Sequence, residues 1–358
     1  MLVAVGDLQL GDSPTTVGYG FYSRYGGVGI DALFDQTQSA FQGADILFAN
    51  LETTLAAPRK GEARRGVLQM RGESHFAADL EKVGFSVLNV ANNHAVQHGN
   101  ETFAMTVAAV REQGIACCGV RGQGEWTSEP VMLNVRGTTV GILGYCRRPR
   151  QYGDAVPPYA EGSDDAIRAD VVRLRATGAT VIVSLHWGEE FVTVPSRDEV
   201  ATGRMIIDAG ASLIIGHHPH VTRPVERHGS GIIAYSLGNF MGDMTWYRPF
   251  RHGLILRCSL QRNEAVAASV TSTRLGDDYR PRLLPGSDRE PLADGQLEGM
   301  GAESYARAIA DTWRRQRLAA YLYAVRRLPR TPWPILSQLV RDTISNKLSA
   351  IGARAPRG

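Results

Sequence analysis

Residues 212–221 read SLIIGHHPHV, a short run of branched apolar residues that stops at Gly216 and releases three imidazoles in four positions. Such a run bounded by glycine predicts a buried β-strand. The cluster His217, His218 and His220 at its carboxyl end has no tag-like context and points to metal binding. The same pattern recurs elsewhere in the chain. A strand predicted at 2–5 ends in Gly6-Asp7, one at 46–49 in Asn50-Leu51-Glu52, and one at 86–91 in Asn92-Asn93-His94. A strand at 180–185 ends in His186-Trp187-Gly188-Glu189-Glu190, and one at 231–236 in Leu237-Gly238-Asn239. Five of the nine histidines (His94, His186, His217, His218 and His220) therefore stand at strand ends.

Further strands are predicted at 139–145 and 254–260, and helix periodicity fills 30–42, 75–83, 101–113, 164–176 and 196–209. Asn100 and Ser163 open helices as caps, and glycines such as Gly84, Gly178 and Gly210 close them, the usual asymmetry of helix ends. Strand–helix alternation with nearly all-apolar strands implies a layered α/β or α+β domain whose sheets are covered on both faces. Residues 11–29 read as a long loop and 276–301, dense in Pro, Gly and Asp, as a linker. Beyond it, Ala306, Ile309, Ala310, Trp313, Ala320, Ala324 and Leu328 fall on one helical face, and a Pro-rich break precedes a second helix at 336–351. The expected division is thus a domain over 1–275, a linker over 276–301 and a basic helical extension over 302–358.

Each strand-end residue has an ordinary reading on its own. Asp7 can begin a turn, Glu52 can be a surface carboxylate, Asn92-Asn93 can be a turn pair, and His186 can be a structural histidine. Six such ends together are a different matter, because ligands in layered α/β folds collect beyond the carboxyl ends of strands. Carboxylate, amide and imidazole donors without thiolate suit divalent Mn, Fe or Zn. More than four candidate ligands suggests one or two ions, with a carboxylate shared if there are two.

The 358 residues carry 39 Lys+Arg against 36 Asp+Glu, a net charge of +3, and 43% hydrophobic residues, which excludes disordered and collagen-like classes. The near-neutral total conceals an imbalance. Residues 302–358 hold 11 Lys+Arg against 3 Asp+Glu, leaving the body net acidic. Nothing in the bulk balance calls for nucleic acid. The basic tail is expected to pack on the body or form a homo-oligomer contact, with a membrane-surface contact as the alternative, and to take no part in the chemistry. Cys117, Cys118, Cys146 and Cys258 show no CxxC spacing and read as reduced thiols. No stretch reads as a leader or as a bilayer-spanning run, so the expected location is the cytoplasm.

VAVGDLQL, FANLETTL, VLNVANNHAVQHG, VIVSLHWGEEF, LIIGHHPHV and AYSLGNF, in this order over residues 1–240, resemble the CapA-type family of poly-γ-glutamate capsule biosynthesis proteins. That family is related to calcineurin-like metallophosphoesterases. The resemblance implies a four-layer α/β/β/α sandwich with a dinuclear metal site at one sheet edge. It implies Asp7 as a terminal ligand, Glu52 as the bridging carboxylate, and Asn93, His186 and His218 at the second ion, with His217 as the alternative to His218. His220 would complete the first ion, His94 would be the catalytic histidine near the leaving group, and Glu190 and Asn239 would orient ligands. The chain departs from the parent pattern twice: Gln9 stands where a histidine ligand is usual, and Val96-Gln97-His98 replaces an expected Asp, with His98 as the available polar partner. Arg71, together with Arg24 in the 19–25 loop, is a candidate for binding an anionic small-molecule or peptide-like substrate. The expected activity is metal-dependent hydrolysis at a phosphoryl or acyl (glutamyl) centre. The alternatives are amide-forming, acyl-transfer or cyclising chemistry, or a non-catalytic subunit that handles capsule polymer.

Overall fold

The computed structural model describes residues 1–56, 66, 69–153, 156–261, 264–286, 290–291, 297–327, 329, 333 and 336–337. In chain order the strands are β1 (Leu2–Leu8), β2 (Ile46–Leu51), β3 (Thr54–Leu55), β4 (Arg71–Gly72), β5 (Val87–Asn89) and β6 (Ala116–Cys118). They continue with β7 (Val131–Val135), β8 (Thr138–Cys146), β9 (Thr180–His186), β10 (Ala211–His217), β11 (Val225–His228) and β12 (Gly231–Ala234). The last are β13 (Asn239–Met241), β14 (His252–Gln261), β15 (Glu264–Leu275), β16 (Pro281–Leu283) and β17 (Glu290–Pro291). The α-helices are α1 (Phe21–Tyr25), α2 (Phe76–Val83), α3 (Asn100–Glu112), α4 (Asp164–Ala176), α5 (Arg197–Asp208) and α6 (Ala302–Arg327).

One sheet runs β16-β15-β14-β1-β2-β5-β6, with β13 continuing alongside the end of β1; the other runs β11-β12-β10-β9-β8-β7. Strands β1, β2, β5 and β6 are mutually parallel, as are β8, β9, β10 and β12. Period-two alternation then divides each strand between two cores. Leu2, Ala4, Phe48, Ile182, Leu213 and Ile215 meet between the sheets. Val3, Val5, Leu47 and Leu88 turn outward to α2 and α3, while Val181, Val183 and Leu185 turn outward to α4 and α5. The result is the four-layer α/β/β/α sandwich, and it buries each parallel strand on both faces.

The helix expected at 30–42 is two 3-10 turns instead, Asp31–Phe34 and Gln38–Phe41. Short polar residues here compete for the backbone, and the Thr37 hydroxyl donates to the Phe34 carbonyl at 2.9 Å. Leu33, Phe34, Ala40 and Phe41 still reach the first outer core. The long loop contains the single turn α1. Where a linker is expected, β16 and β17 extend the first sheet by pairing with β15, and Met300 exchanges backbone hydrogen bonds with Pro195 and Arg197.

Helix α6 lies against the body. Trp313 packs on Phe191 at 4.8 Å between ring centroids, and the Tyr305 hydroxyl donates to Glu199 at 2.8 Å. Its other face leaves Leu318, Tyr321, Leu322 and Val325 exposed. No described helix is long and apolar enough to cross a membrane. Most of the second helix expected at 336–351 lies outside the described residues.

Candidate metal centre

The parallel strands of both sheets end at the same edge of the sandwich. Asp7 sits on β1, Glu52 follows β2, Asn93 and His94 follow β5, His186 ends β9, and His217 ends β10 with His218 and His220 just beyond it. Two glycines hold this edge tight. A Cβ on Gly6 would fall 1.9 Å from the Gly238 carbonyl oxygen, and one on Gly216 would fall 2.3 Å from that of Tyr235. The Asp7 amide in turn donates to the Gly238 carbonyl at 2.9 Å, which fixes β1 against the turn leading into Asn239. His218 (φ 95°) and His220 (φ 57°) both adopt left-handed backbone. Such conformations cost roughly 1–3 kcal/mol each in non-glycine residues and persist where the surroundings impose them.

Asp7, Glu52, His186 and His217 are wholly buried, and His218 and His220 nearly so. Three interlocking groups place one donor atom from each member within 4.8 Å of the others: Glu52/His186/His218, Asp7/Glu52/His220 and Glu190/His218/His220. His186 Nε2 is 2.8 Å from Asn93 Oδ1, 3.1 Å from His218 Nδ1 and 3.4 Å from Glu52 Oε1. His220 Nδ1 lies 3.4 Å from Asp7 Oδ2 and 3.7 Å from Glu52 Oε2. Asn239 Oδ1 is 3.0 Å from the same nitrogen and supplies an acceptor for an Nδ1–H tautomer. His217 stacks on Phe48 and approaches Asp7 Oδ1 at 3.3 Å, outside the three groups.

These donors fit a divalent ion. Glu52 Oε1 and His218 Nε2 are buried with no hydrogen-bond partner, and such orphans are rare without a ligand to satisfy them. Burial raises the Glu52 carboxyl well above its ordinary range and holds His186 and His218 neutral, the state in which imidazole binds metal. Burial also pulls Asp7 upward, but His217 and His220 outweigh it and keep the carboxylate ionised. For His220, the downward pull of burial is outweighed by Glu52, Asp7 and Glu190, to about 10. Cys146, level with His186 across β8 and β9, is a thiol pushed up to about 12 by burial, so the donor set holds only oxygen and nitrogen.

The candidate residues do not all share one place. Gln9 lies beside the cluster, its Nε2 3.5 Å from Glu52 Oε2. His94 Nδ1–H donates to Gln97 Oε1 at 2.7 Å, and burial lowers its pKa to about 4. Gln97, not His98, therefore partners His94; His98 turns to the Gln69 carbonyl. Arg71 Nε donates to the Ala56 carbonyl at 2.5 Å, and Arg24 stacks on Tyr25 and Tyr279, so neither is brought to the cluster.

Several participants are not marked as site residues by the sequence. Asn50 Nδ2 donates to Asp7 Oδ1 at 2.8 Å and is itself held by Asn89. Arg148, paired with Glu189 at 2.6 Å, acts on both His218 and Glu190 through its charge. Most unexpected is α6. Trp313 and Gln316 line a cavity of about 210 Å³ together with Gln9, His94, Glu190 and His220. The basic extension thus takes part in shaping the site, contrary to the expectation that it stands apart from it.

Against this geometry, the family model of the bacterial capsule synthesis protein PGA_cap matches residues 1–244. The chain belongs to the PGA_cap family. It is 28% identical over 258 residues to the capsule biosynthesis protein CapA of Bacillus anthracis, covering 69% of this chain and 61% of that one. It is 27% identical over 248 residues to the PGA biosynthesis protein CapA of Bacillus subtilis (strain 168), covering 68% and 65%. It is 27% identical over 214 residues to a probable polyglutamine synthesis accessory protein of Mycobacterium tuberculosis (strain ATCC 25618 / H37Rv), covering 56% of each. The chain thus spans about three fifths of the length of these relatives. The PGA_cap match ends before α6, so the helix that closes the cavity lies outside the matched residues.

Proposed function

We propose that this PGA_cap chain carries a metal-dependent, hydrolase-like centre that acts on a phosphoryl or acyl group of a small-molecule or peptide-like anionic substrate. The observation that carries the reading is the meeting of Asp7, Glu52, His186, His218 and His220 in interlocking groups with buried atoms left unpartnered. Asp7 and His220 would hold one ion, Asn93, His186 and His218 a second, and Glu52 would face both; Mn, Fe or Zn suits these donors. A divalent ion there supplies Lewis acidity and a water acidified towards neutrality. The chain's own groups do the rest. Asn50 orients Asp7, and Asn239 orients His220. His94, with Gln97 at Nδ1, is the group placed to exchange a proton at Nε2. Arg148 is placed to meet negative charge arriving beside His218.

The names of the relatives favour glutamyl amides among acyl substrates. The paired probes are bis(4-nitrophenyl) phosphate and γ-glutamyl-4-nitroanilide, assayed with each metal. Purified protein is expected to hold at least one equivalent of divalent metal and His218→Ala to lose it. Elemental analysis well below one equivalent in freshly purified wild type would sink the reading. The membrane or second-copy contact proposed for the basic tail would fall on Leu318, Tyr321, Leu322 and Val325, because the opposite face of α6 is taken by the body.

A further inference from the structure

The cavity under α6 has walls unlike the ligand cluster it adjoins. Its cluster end holds His94, Glu190 and His220, while Phe191, Met244, Trp246 and Trp313 make the apolar part of the rest, beside Gln316 and the 13–15 loop. No Lys or Arg is among the described lining residues, and Glu190 attracts an anion in neither protonation state. Trp313 and Phe191 carry the aromatic wall down to the His220 ring, with Phe191 4.8 Å from the first and 6.1 Å from the second.

We infer that this cavity binds an uncharged aromatic or apolar substituent of the substrate in preference to a carboxylate-bearing chain. The inference rests on the metal-centre reading only for where the reacting group sits; the walls stand without it. A cavity of about 210 Å³ has room for a ring-sized group, which is stripped of water against Trp313 and Phe191. A glutamyl side chain placed against Trp313 and Phe191 loses its hydration and meets no Lys or Arg there, and the His220 imidazole at the cluster end is already faced by Asp7 and Glu52. Trp313 is on this account a specificity-determining residue contributed from outside the region matched by the family model.

The test is binding of N-benzylacetamide, a neutral aryl amide, against N-acetylglutamate, by titration calorimetry on the full chain, both metal-loaded and metal-stripped. N-benzylacetamide is expected to bind at least about tenfold more tightly than N-acetylglutamate in both forms. Trp313→Ala should weaken it about tenfold, with Trp313→Phe recovering most of the loss and showing that the helix remains docked. Equal or tighter binding of N-acetylglutamate, no binding of N-benzylacetamide, or a Trp313→Ala protein that binds it unchanged overturns the inference. Metal content of the same samples separates the two readings. One equivalent of metal without aryl-amide binding sinks this inference alone, and binding without metal sinks the metal centre alone.

Discussion

The floor and the roof of the cavity are built by opposite rules. The floor comes from the ends of parallel strands: Asp7, Glu52, Asn93, His186, His218 and His220 are polar, buried and set on a backbone pinned between two sheets. The roof comes from the 13–15 loop, residues 244–246 and α6, and presents mainly aromatic and apolar surface. Metal ligands need placement to a fraction of an ångström, which strand ends supply and loops supply less well. An apolar wall needs only area and shape, which a docked helix can provide. Floor and roof should therefore break separately.

The largest separation is expected from His186→Ala and His218→Ala. Losing a direct ligand should lower metal affinity by about 100-fold or more, since even partners behind the ligands are worth about 10–100-fold. Chelator competition measures this, and folding by circular dichroism should be retained. Either variant holding metal as wild type does would remove that residue from the floor. Next comes Gly6→Ala. Its Cβ would overlap the Gly238 carbonyl, so β1 must shift from its neighbour, at a cost of about 3 kcal/mol in thermal or urea unfolding, with metal affinity falling alongside. A stable Gly6→Ala protein that binds metal normally would show that the strand end is not held by this close approach. Trp313→Ala should do the converse: about 2 kcal/mol of stability lost from a half-buried indole, with metal stoichiometry unchanged. Loss of metal in that variant would mean that roof and floor are one unit.

This division also explains what was legible in the sequence. Apolar runs ending in Asp, Asn or His carry strand, position and chemistry in a few adjacent residues, so the sandwich and the clustering of Asp7, Glu52, His186 and the 217–220 histidines could be read from them. Asn50 and Asn89 belong to the same runs, but nothing in an asparagine's sequence position shows that it will bridge to a side chain on the neighbouring strand. The 3-10 turns at 31–41 resemble helix in sequence because Leu33, Phe34, Ala40 and Phe41 have a spacing that either form can bury. Trp313 was visible on the apolar face of α6, yet periodicity says that a face is covered and not by what. The charge count, which set the basic segment apart, pointed away from the site that its buried side shapes.

The smallest effect, a graded one, concerns the wall formed by the 13–15 loop. Asp243 accepts from the Ser13 amide at 3.0 Å, the Phe21 amide at 3.0 Å and the Thr16 hydroxyl at 2.5 Å, while Asp12 accepts from the Gly18 and Ser23 amides. The two carboxyls thus tie this loop to β13 from within. Burial, followed by the charge of Asp12, raises the Asp243 pKa to about 7. A folded-state pKa above the unfolded value means that the folded protein binds the proton more tightly. The stability this group contributes is therefore complete below the ordinary carboxylate range and drains as pH rises through about 7. Unfolding midpoints are expected to fall between pH 5 and pH 8, and Asp243→Asn should flatten that part of the profile while leaving metal affinity at fixed pH unchanged. Parallel profiles for wild type and Asp243→Asn would show that the pair does not tune the roof. A metal affinity that followed Asp243 would tie the loop to the floor and erase the distinction between them.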